Sequence, residues 1–210
     1  MNTPSLTSGK IGRPSKVVTS RLDDMLLDLA AQAMREANFS DISLERLAAR
    51  IGVSRPTIYR RFESRNALLE ALVEKEFSTI FDVGERDVDE RADPLEVLRT
   101  QAREMFDVFL RPSTANFVKF LTQESIINPR LVHSRREWHL RVVRRLTPHI
   151  ERVFKSGDAE RLAILLIALL DTPITLSAMG FGPDEALSGM SVDQYFDWRF
   201  GVFLDAAARD

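Results

Sequence analysis

The chain has 210 residues, of which 29% are charged and 44% hydrophobic, with a formal net charge of −2 and no cysteine. This composition is that of a folded globular protein, and the absence of cysteine excludes a disulfide scaffold, a thiol nucleophile and a cysteine-ligated metal. With only three histidines, we expect no metal site and no cofactor. No apolar run reaches the roughly 20 residues of a membrane span, and the N-terminus has no secretory signal. We therefore expect a soluble, cytoplasmic protein that does not bind membranes.

The charge is divided unevenly along the chain. Residues 1–65 hold 11 Lys and Arg against 7 Asp and Glu, whereas the rest of the chain holds 18 against 24. A basic N-terminal third followed by an acidic body indicates that one part of the protein contacts an anion and the other does not.

Apolar residues recur at helical spacing along the chain and strand signals are nearly absent, which predicts an all-α protein of about nine helices. The predicted helices cover residues 21–37, 44–51, 55–61, 65–84, 94–111, 113–127, 129–155, 159–180 and 192 onwards. Pro173 is expected to kink the eighth of these, and 181–189 is expected to be a loop. Three segments follow: a flexible basic arm at 1–18, a three-helix domain with its following helix at 19–84, and a second helical domain at 85–210.

Residues 43–62, SLERLAARIGVSRPTIYRRF, have the pattern of a helix-turn-helix. Ser43 and Ser54 stand at the two N-caps, and Gly52 stands at a C-terminal stop that tolerates positive φ. Ile58 and other apolar residues can close a small core between the two short helices. This arrangement predicts that the second helix is presented to a DNA groove.

The direction of each side chain on that second helix follows from about 100° per residue. With Ile58 facing the core, Pro56 and Arg60 point straight outward, and Thr57 and Tyr59 flank them. An outward Arg suits guanine O6 and N7, and Thr or Pro suits the thymine methyl. We therefore predict that Arg60 reads a base.

The remaining DNA contacts are predicted to go to the phosphate backbone. Arg61 turns to the flank of the helix, and Arg65 lies in the first turn of the next one. The helix N-termini at Ser43 and Ser64 present free N–H groups that also favour phosphate. The predicted DNA-contacting residues are Arg13, Ser43, Arg55, Pro56, Thr57, Tyr59, Arg60, Arg61, Ser64 and Arg65.

Gly12-Arg13-Pro14 in the N-terminal arm permits two interpretations. In the first, Pro14 holds the chain extended and Arg13 enters the narrow A·T minor groove. In the second, the arm is a disordered basic tail without specific contacts. The residues themselves leave both open.

The segment ISLERLAARIGVSRPTIYRRFESRNALLEAL, within residues 39–72, resembles the N-terminal DNA-binding domain of the tetracycline-repressor (TetR) family. The Gly-Val-Ser turn, the Thr-Ile-Tyr core of the second helix and Phe62 carry the likeness. Pro56 departs from the small residue that many members have there. The resemblance implies a homodimeric transcriptional regulator, not an enzyme, most often a repressor that binds a palindromic operator and is released by a small ligand.

The central helices are rich in aromatic residues, which predicts an apolar ligand pocket between helices as well as core. The expected effector is small and mostly apolar, with an aromatic compound as one option, and Glu124, His133 or Arg136 would supply a polar contact. The predicted pocket residues are Phe81, Met105, Phe106, Phe109, Phe117, Phe120, Glu124, His133 and Trp138.

The last two helices of the prediction carry more apolar surface than one subunit can cover. A two-fold dimer that buries both helices in a four-helix bundle would cover it. The predicted interface residues are Leu165, Leu166, Leu169, Leu170, Phe196, Phe200 and Phe203.

The function predicted from these observations is sequence-specific DNA binding with ligand-dependent release. Two alternatives stay open. A small helical enzyme with a scaffold helix-turn-helix would be supported by a hydrogen-bonded acid–base pair in a central cavity. A constitutive DNA-binding protein without effector would be supported by a fully packed interior.

Overall fold

The computed structural model describes residues 16–81, 92–155 and 157–209, with side chains from residue 21 to 80 in the first of these segments. The described residues form eleven α-helices and no strand, which confirms the predicted all-α fold. The helices are α1 Lys16–Arg35, α2 Leu44–Ile51, α3 Arg55–Tyr59, α4 Arg65–Phe81, α5 Pro94–Phe109, α6 Pro112–Ser125, α7 Pro129–Phe154, α8 Ala159–Leu170, α9 Thr172–Ala178, α10 Pro183–Ala186 and α11 Val192–Ala207, with a 3-10 turn at Phe39–Asp41.

The helix count exceeds the predicted nine for two local reasons. The predicted helix at 159–180 breaks at Asp171 into α8 and α9, which are bent by 44°. Pro173 has no N–H to donate to the preceding turn, so the helix restarts there instead of merely kinking. Pro183 likewise starts the one-turn helix α10 inside the predicted loop.

The N-caps predicted for α2, α3 and α4 differ in their hydrogen bonds. The hydroxyl of Ser43 accepts from the N–H of Arg46 at 3.2 Å, and Gly52 has φ +72°, both as predicted. The hydroxyl of Ser64 caps α4 by accepting from a backbone N–H. Ser54 stands at the N-cap of α3 but makes no backbone cap bond, because its hydroxyl pairs with another side chain.

One apolar core joins α1 to α4, here called the head, to part of the following helices. Leu47 and Ile58 of the head are fully buried, and the same core takes in Phe117 and Phe120 of α6. The ring of Phe39 meets that of Phe120 edge-on at 5.4 Å between centroids. The predicted domain boundary near residue 84 falls at 82–91, outside the described residues, and the head core continues into α6.

A second core holds together the body, α5 to α11. Phe196, Phe200 and Phe203 of α11 are at most 1% exposed, and Leu166 and Leu170 of α8 are fully buried. These five residues were predicted to meet a partner subunit, and the structure corrects that prediction. The wide apolar arc of α8 is covered within the same chain because α7 and α11 pack on two sides of it.

The predicted interface residues Leu165 and Leu169 are half-buried against the same core. Among the exposed large apolar residues of α8 and α11 are Ile164, Trp198 and Val202. Within the described part of the chain, no single helix has the length and apolar composition of a membrane span, and only α8 and α9 taken together meet that test.

Candidate functional site

The helix-turn-helix is formed by α2, the turn at Gly52 and α3. The N–H of Val53 donates to the carbonyl of Ala48 at 3.0 Å, which closes the turn. Ile58 of α3 is fully buried and Phe62 is 8% exposed, both in the head core. Because these two residues face inward, the opposite side of α3 must face solvent, as the helical spacing predicted.

The exposed side of α3, called here the reading face, consists of Arg55, Pro56, Tyr59 and Arg60. The hydroxyl of Tyr59 donates to Glu45 Oε1 at 2.6 Å, and Arg55 approaches the same oxygen at 3.4 Å. The hydrogen bond from Tyr59 lowers the pKa of Glu45, which therefore stays ionised and orients both side chains. The side chain of Arg60 makes no hydrogen bond or ion pair with any described residue, so its guanidinium is available to a base.

Two of the arginines predicted to hold the DNA backbone have partners inside the protein. Arg61 Nε lies 3.6 Å from Asp23 Oδ1 of α1, and the Arg61 side chain is only 16% exposed. Arg65 forms two bonds of 2.7 Å with Glu124 of α6 and a third, from Nε, to the carbonyl of Ile42 at 3.3 Å. The bond to Glu124 raises the pKa of Arg65. In this structure both guanidinium groups therefore pair with carboxylates of the protein and are not free to bind a DNA phosphate.

Two basic residues of α2 were missed by the sequence reasoning. Arg46 and Arg50 are exposed on the first helix of the motif. The side chain of Arg46 bonds to Asp41 at 2.7 Å, whereas the side chain of Arg50 makes no hydrogen bond or ion pair with any described residue. The signal that could have found them is their position on the polar face of α2 beside the turn. Arg13 lies outside the described residues.

The remaining residues predicted to contact DNA lie in or next to the first turns of α2, α3 and α4. Ser43 and Ser64 cap the N-termini of α2 and α4. Thr57 is half-buried, and its hydroxyl lies 2.9 Å from that of Ser54. Thr57 therefore helps to shape the start of α3 and presents only part of its side chain outward.

The body contains a cavity of about 430 Å³, called here the large cavity, bounded by α4 to α9. Its apolar walls include Phe77, Phe109, Phe117, Leu121 and Trp138. Its polar lining consists of Thr114, Arg135, Arg136, His139, Asp171 and Thr175. A volume in the range of small-ligand pockets, with aromatic walls and few polar groups, is that of a binding site for an organic molecule.

A second cavity of about 220 Å³, called here the small cavity, lies between α4, α5 and α7. Met105, Val142 and Arg145 are among its lining residues. The rings of Phe77 and Trp138 stack at 5.1 Å between centroids and 7° between planes, and both residues line both cavities. This stacked pair therefore forms part of the wall between the two cavities.

The predicted pocket residues divide into those that line a cavity and those that do not. Phe109, Phe117 and Trp138 line the large cavity, and Met105 lines the small one. Arg136, which was considered as a polar contact, also lines the large cavity.

Four predicted pocket residues have other positions, which corrects their assignment. Phe106 stacks on Tyr195 in the body core and Phe120 packs on Phe39, and neither lines the large or the small cavity. Glu124 is bonded to Arg65, and His133 is exposed and lines neither cavity. The side chain of Phe81 lies outside the described residues.

The polar lining of the large cavity has few internal partners. Burial raises the pKa of Asp171, and the nearby His139 and Arg135 oppose that shift. None of the side chains of these three residues or of Arg136 makes a hydrogen bond or ion pair with a described residue. Thr114 is 2% exposed and its hydroxyl has no hydrogen-bond partner among the described residues. The described residues contain no cluster of three His, Cys, Asp or Glu side chains that could hold a metal ion.

Comparison with known proteins agrees with this geometry. The sequence profile of the bacterial regulatory proteins of the TetR family matches residues 26–72, which is the helix-turn-helix and its supporting helices. No curated protein matches the chain. Twelve solved chains match, and three of them cover 89–90% of this chain.

Three of these solved structures illustrate the likeness. A regulator of Mesorhizobium loti, assigned to the TetR family, is 19% identical with a TM-score of 0.68, covering 90% of this chain and 97% of its own. The flavonoid-responsive regulator FrrA is 25% identical with a TM-score of 0.64, covering 89% and 97%. A transcriptional regulator of Saccharomonospora viridis, in complex with choline, is 20% identical with a TM-score of 0.63, covering 89% and 95%.

A helix-turn-helix head with an exposed reading helix, carried on an all-helical body with an internal cavity, defines a DNA-binding transcriptional regulator. Residues 26–72 match the TetR family of bacterial regulatory proteins, and the chain shares its fold with solved regulators of that family.

Proposed function

We propose that the protein is a homodimeric repressor that binds a palindromic operator in the cytoplasm and is released when a small, mostly apolar molecule fills the large cavity. The observation that carries this proposal is the double hydrogen bond between Arg65 and Glu124, at 2.7 Å each. It joins the first turn of α4, directly behind the reading helix, to the last turn of α6, a wall of the cavity.

The route from cavity to reading face is short. Leu121 of α6 lines the large cavity, and Glu124 lies one helical turn further on the same helix. A ligand that displaces α6 therefore displaces the partner of Arg65. Release requires that the ligand bind more tightly to the conformation with displaced heads, because equal affinity for both conformations shifts no equilibrium.

Further contacts between the head and α6 couple the movements of the two. The side-chain amide of Asn116 donates to the carbonyl of Arg35 at 2.7 Å. Phe117 lines the cavity and also meets Phe77 of α4 edge-on, at 4.9 Å between centroids. Because α6 contacts both α1 and α4, a movement of α6 acts on the head as a whole.

The dimer is proposed to form through the exposed faces of α8 and α11. Ile164, Trp198 and Val202 are each at least 40% exposed on these adjacent helices. The guanidinium of Arg199 lies 4.4 Å from the Trp198 ring centroid, which holds that ring in place. A two-fold partner that presents the same residues would bury this apolar face and set two reading helices side by side.

The alternative functions are less well supported. A constitutive DNA-binding protein has no use for a cavity of about 430 Å³ in which the buried hydroxyl of Thr114 has no hydrogen-bond partner among the described residues. For a helical enzyme, Asp171 and His139 lie close together in the cavity, yet no hydrogen bond joins them. Two solved structures of similar fold, one of a regulator named as flavonoid-responsive and one of a regulator in complex with choline, favour effector binding.

The proposal is tested by selecting genomic DNA fragments with the purified full chain and footprinting the selected fragments. We expect an inverted repeat protected on both half-sites, with half-sites about one helical turn apart or a multiple of it. Protection of a single, non-palindromic site would contradict the dimeric arrangement. Retention of the fragment in the presence of every compound in a diverse aromatic library would contradict effector release.

A further inference from the structure

We propose that the effector is a neutral or weakly acidic hydroxylated aromatic compound, a phenol in the broad sense, whose ring lies between the aromatic walls of the large cavity and whose hydroxyl meets Asp171, His139 and Arg135. This inference rests on the proposed function, because it takes the large cavity as the effector site. It is carried by the types of polar groups in the cavity and by the absence of hydrogen bonds from the side chains of Thr114, Asp171, His139 and Arg135 to any described residue.

The aromatic walls of the large cavity favour a ligand with a planar ring. Phe109, Phe117 and Trp138 line the large cavity, and Trp138 is held parallel to Phe77 by stacking at 5.1 Å. Aromatic faces of fixed orientation favour a planar aromatic ligand over a flexible chain, because stacked and edge-on contacts add to the burial of apolar area.

A buried hydroxyl in the same cavity requires a polar group on the ligand. Thr114 is 2% exposed and its Oγ1 has no hydrogen-bond partner among the described residues. An unpaired buried hydroxyl is unfavourable, and a ligand atom that accepts from it or donates to it removes that cost. A pure hydrocarbon would leave the Thr114 hydroxyl unpartnered.

The charges in the cavity discriminate between ligand types. Asp171 is an acceptor, whereas the neighbouring Arg135 is a donor, and neither makes an ion pair with a described residue. A hydroxyl can donate to the carboxylate and accept from a cationic neighbour at the same time. A quaternary ammonium ion has no hydrogen-bond donor for Asp171. It would also be repelled by the two guanidinium groups of Arg135 and Arg136, which outnumber the one carboxylate in the cavity. A ligand carboxylate meets the guanidinium groups but also the like charge of Asp171.

The test uses four naphthalene derivatives that share one ring system: 2-naphthol, its methyl ether, 2-naphthoic acid and 2-naphthyltrimethylammonium. Binding to the full chain is measured by isothermal titration calorimetry. We expect 2-naphthol to bind about tenfold more tightly than the ether, as the loss of one buried hydrogen bond implies, and the cation to bind most weakly. Equal affinity of naphthol and ether, tighter binding of the acid or the cation, or no binding by any of the four overturns the inference.

Two variants locate the polar contacts, and a matched variant on the same helix serves as a control. Asp171→Ala should weaken 2-naphthol binding several-fold and leave binding of the ether nearly unchanged, because only the naphthol can donate to the carboxylate. Thr114→Val should weaken binding of both compounds, because the oxygen of either one can accept from the Thr114 hydroxyl. Thr122→Val should change neither, because Thr122 is an exposed α6 residue outside the lining of the cavity. Thr114→Val is nearly isosteric and removes an unpartnered hydroxyl, so its melting temperature should equal or exceed that of the unmodified chain. Unchanged naphthol binding in both cavity variants overturns the inference.

Release of DNA is measured separately, by fluorescence anisotropy of a labelled fragment recovered in the genomic selection. Binding of 2-naphthol with the expected selectivity but without DNA release would contradict the proposed effector function and leave the ligand class standing. Release of DNA by the ether as readily as by the naphthol would contradict the ligand class and leave the effector function standing.

Discussion

The reading face and the polar lining of the large cavity differ in how their polar side chains are satisfied. On the reading face, Tyr59 and Arg55 share a carboxylate oxygen of Glu45 while exposed to water. In the large cavity, the side chains of Asp171 and His139 make no hydrogen bond with a described residue, and the hydroxyl of Thr114 is buried with no hydrogen-bond partner among the described residues.

This difference follows from access to water. An exposed side chain is hydrated in the absence of DNA, so an internal bond there adds little stability and mainly selects an orientation. A buried hydroxyl has no such substitute, and its hydrogen-bonding capacity remains unused until a ligand arrives. The reading face is therefore pre-oriented for its partner, whereas the cavity is incomplete without one.

The largest effect is expected from separating the two reading faces of the proposed dimer. Ile164→Glu combined with Trp198→Glu places charges on the exposed apolar face of α8 and α11. In a dimer, binding of one head raises the effective concentration of the other head at the second half-site. A monomer loses this advantage, so its operator affinity should be about 10²- to 10⁴-fold lower. Sedimentation should then show a folded monomer. Dimers of the double variant at micromolar concentration would exclude this face as the interface.

The next largest effect concerns the support beneath the reading face. Ile58→Ala should lower the free energy of unfolding by about 2–5 kcal/mol, because Ile58 is fully buried between α3 and the rest of the head. Ile126→Ala is the matched control, since Ile126 is 82% exposed and should have a much smaller effect. Urea denaturation followed by circular dichroism measures both. Equal decreases would mean that burial of α3 does not hold the head together.

Arg60 and Arg50 separate base reading from backbone contact. Arg60→Ala should cost about 1–3 kcal/mol and relax preference at one position of each half-site. Arg50→Ala should weaken binding to all sequences alike and lower the salt slope by about one unit for each phosphate that the protein no longer neutralises. A series of operators with single base substitutions, measured at two salt concentrations, distinguishes the two patterns. An equal relative decrease in affinity on every operator for Arg60→Ala would remove its role as a base reader.

The connection between the cavity and the reading face is measured by a double-mutant cycle on Arg65 and Glu124. Removing both partners, with Arg65→Met and Glu124→Gln, should show a coupling energy of about 0.5–3 kcal/mol in the free energy of unfolding. Glu124→Gln alone should leave effector affinity nearly unchanged and reduce the effector's influence on DNA binding. A variant that responds to effector as the unmodified chain does would show that coupling runs through other contacts of α6.

The smallest effect is a pH dependence within the head. Burial raises the pKa of Glu76, although Arg35 at 2.8 Å opposes the shift. A raised pKa means that the ionised carboxylate costs stability above that pKa, and that the cost disappears as the pH falls through it. Glu76→Gln, which keeps an acceptor for Arg35, should therefore melt at the same temperature as the unmodified chain or slightly above it at pH 7. That difference should shrink toward pH 5, and a difference that grows on acidification would reverse the sign of the shift.

The helix boundaries show what local sequence can predict. The helix at 44–51 was predicted to the residue, because its N-cap at Ser43 and its left-handed stop at Gly52 lie within the segment itself. The same local signals located the exposed side of α3 from the inward position of Ile58. The break at Asp171 was predicted only as a kink, since Pro173 marks the place but the packing of α8 and α9 decides the angle.

The partners of charged and apolar side chains could not be predicted in this way. Arg65 was assigned to a phosphate, and its partner Glu124 lies 59 residues away in the chain. Phe196 and Phe200 were assigned to a second subunit, and helices of the same chain cover them. In each case the sequence showed that the residue needed an ion-pair partner or an apolar covering surface. It did not show which part of the molecule provides that partner or surface.

The sequence by itself determined the helical class, the helix-turn-helix and the outward position of Arg60, because caps, turn residues and helical periodicity act over a few neighbouring residues. Only the tertiary structure decided that Arg61 turns to Asp23, that Thr114 and Asp171 face a common cavity, and that α6 joins this cavity to the head. The physical reason is that ion pairing and cavity formation depend on which helix faces pack together, and helical periodicity specifies an apolar face without specifying what covers it.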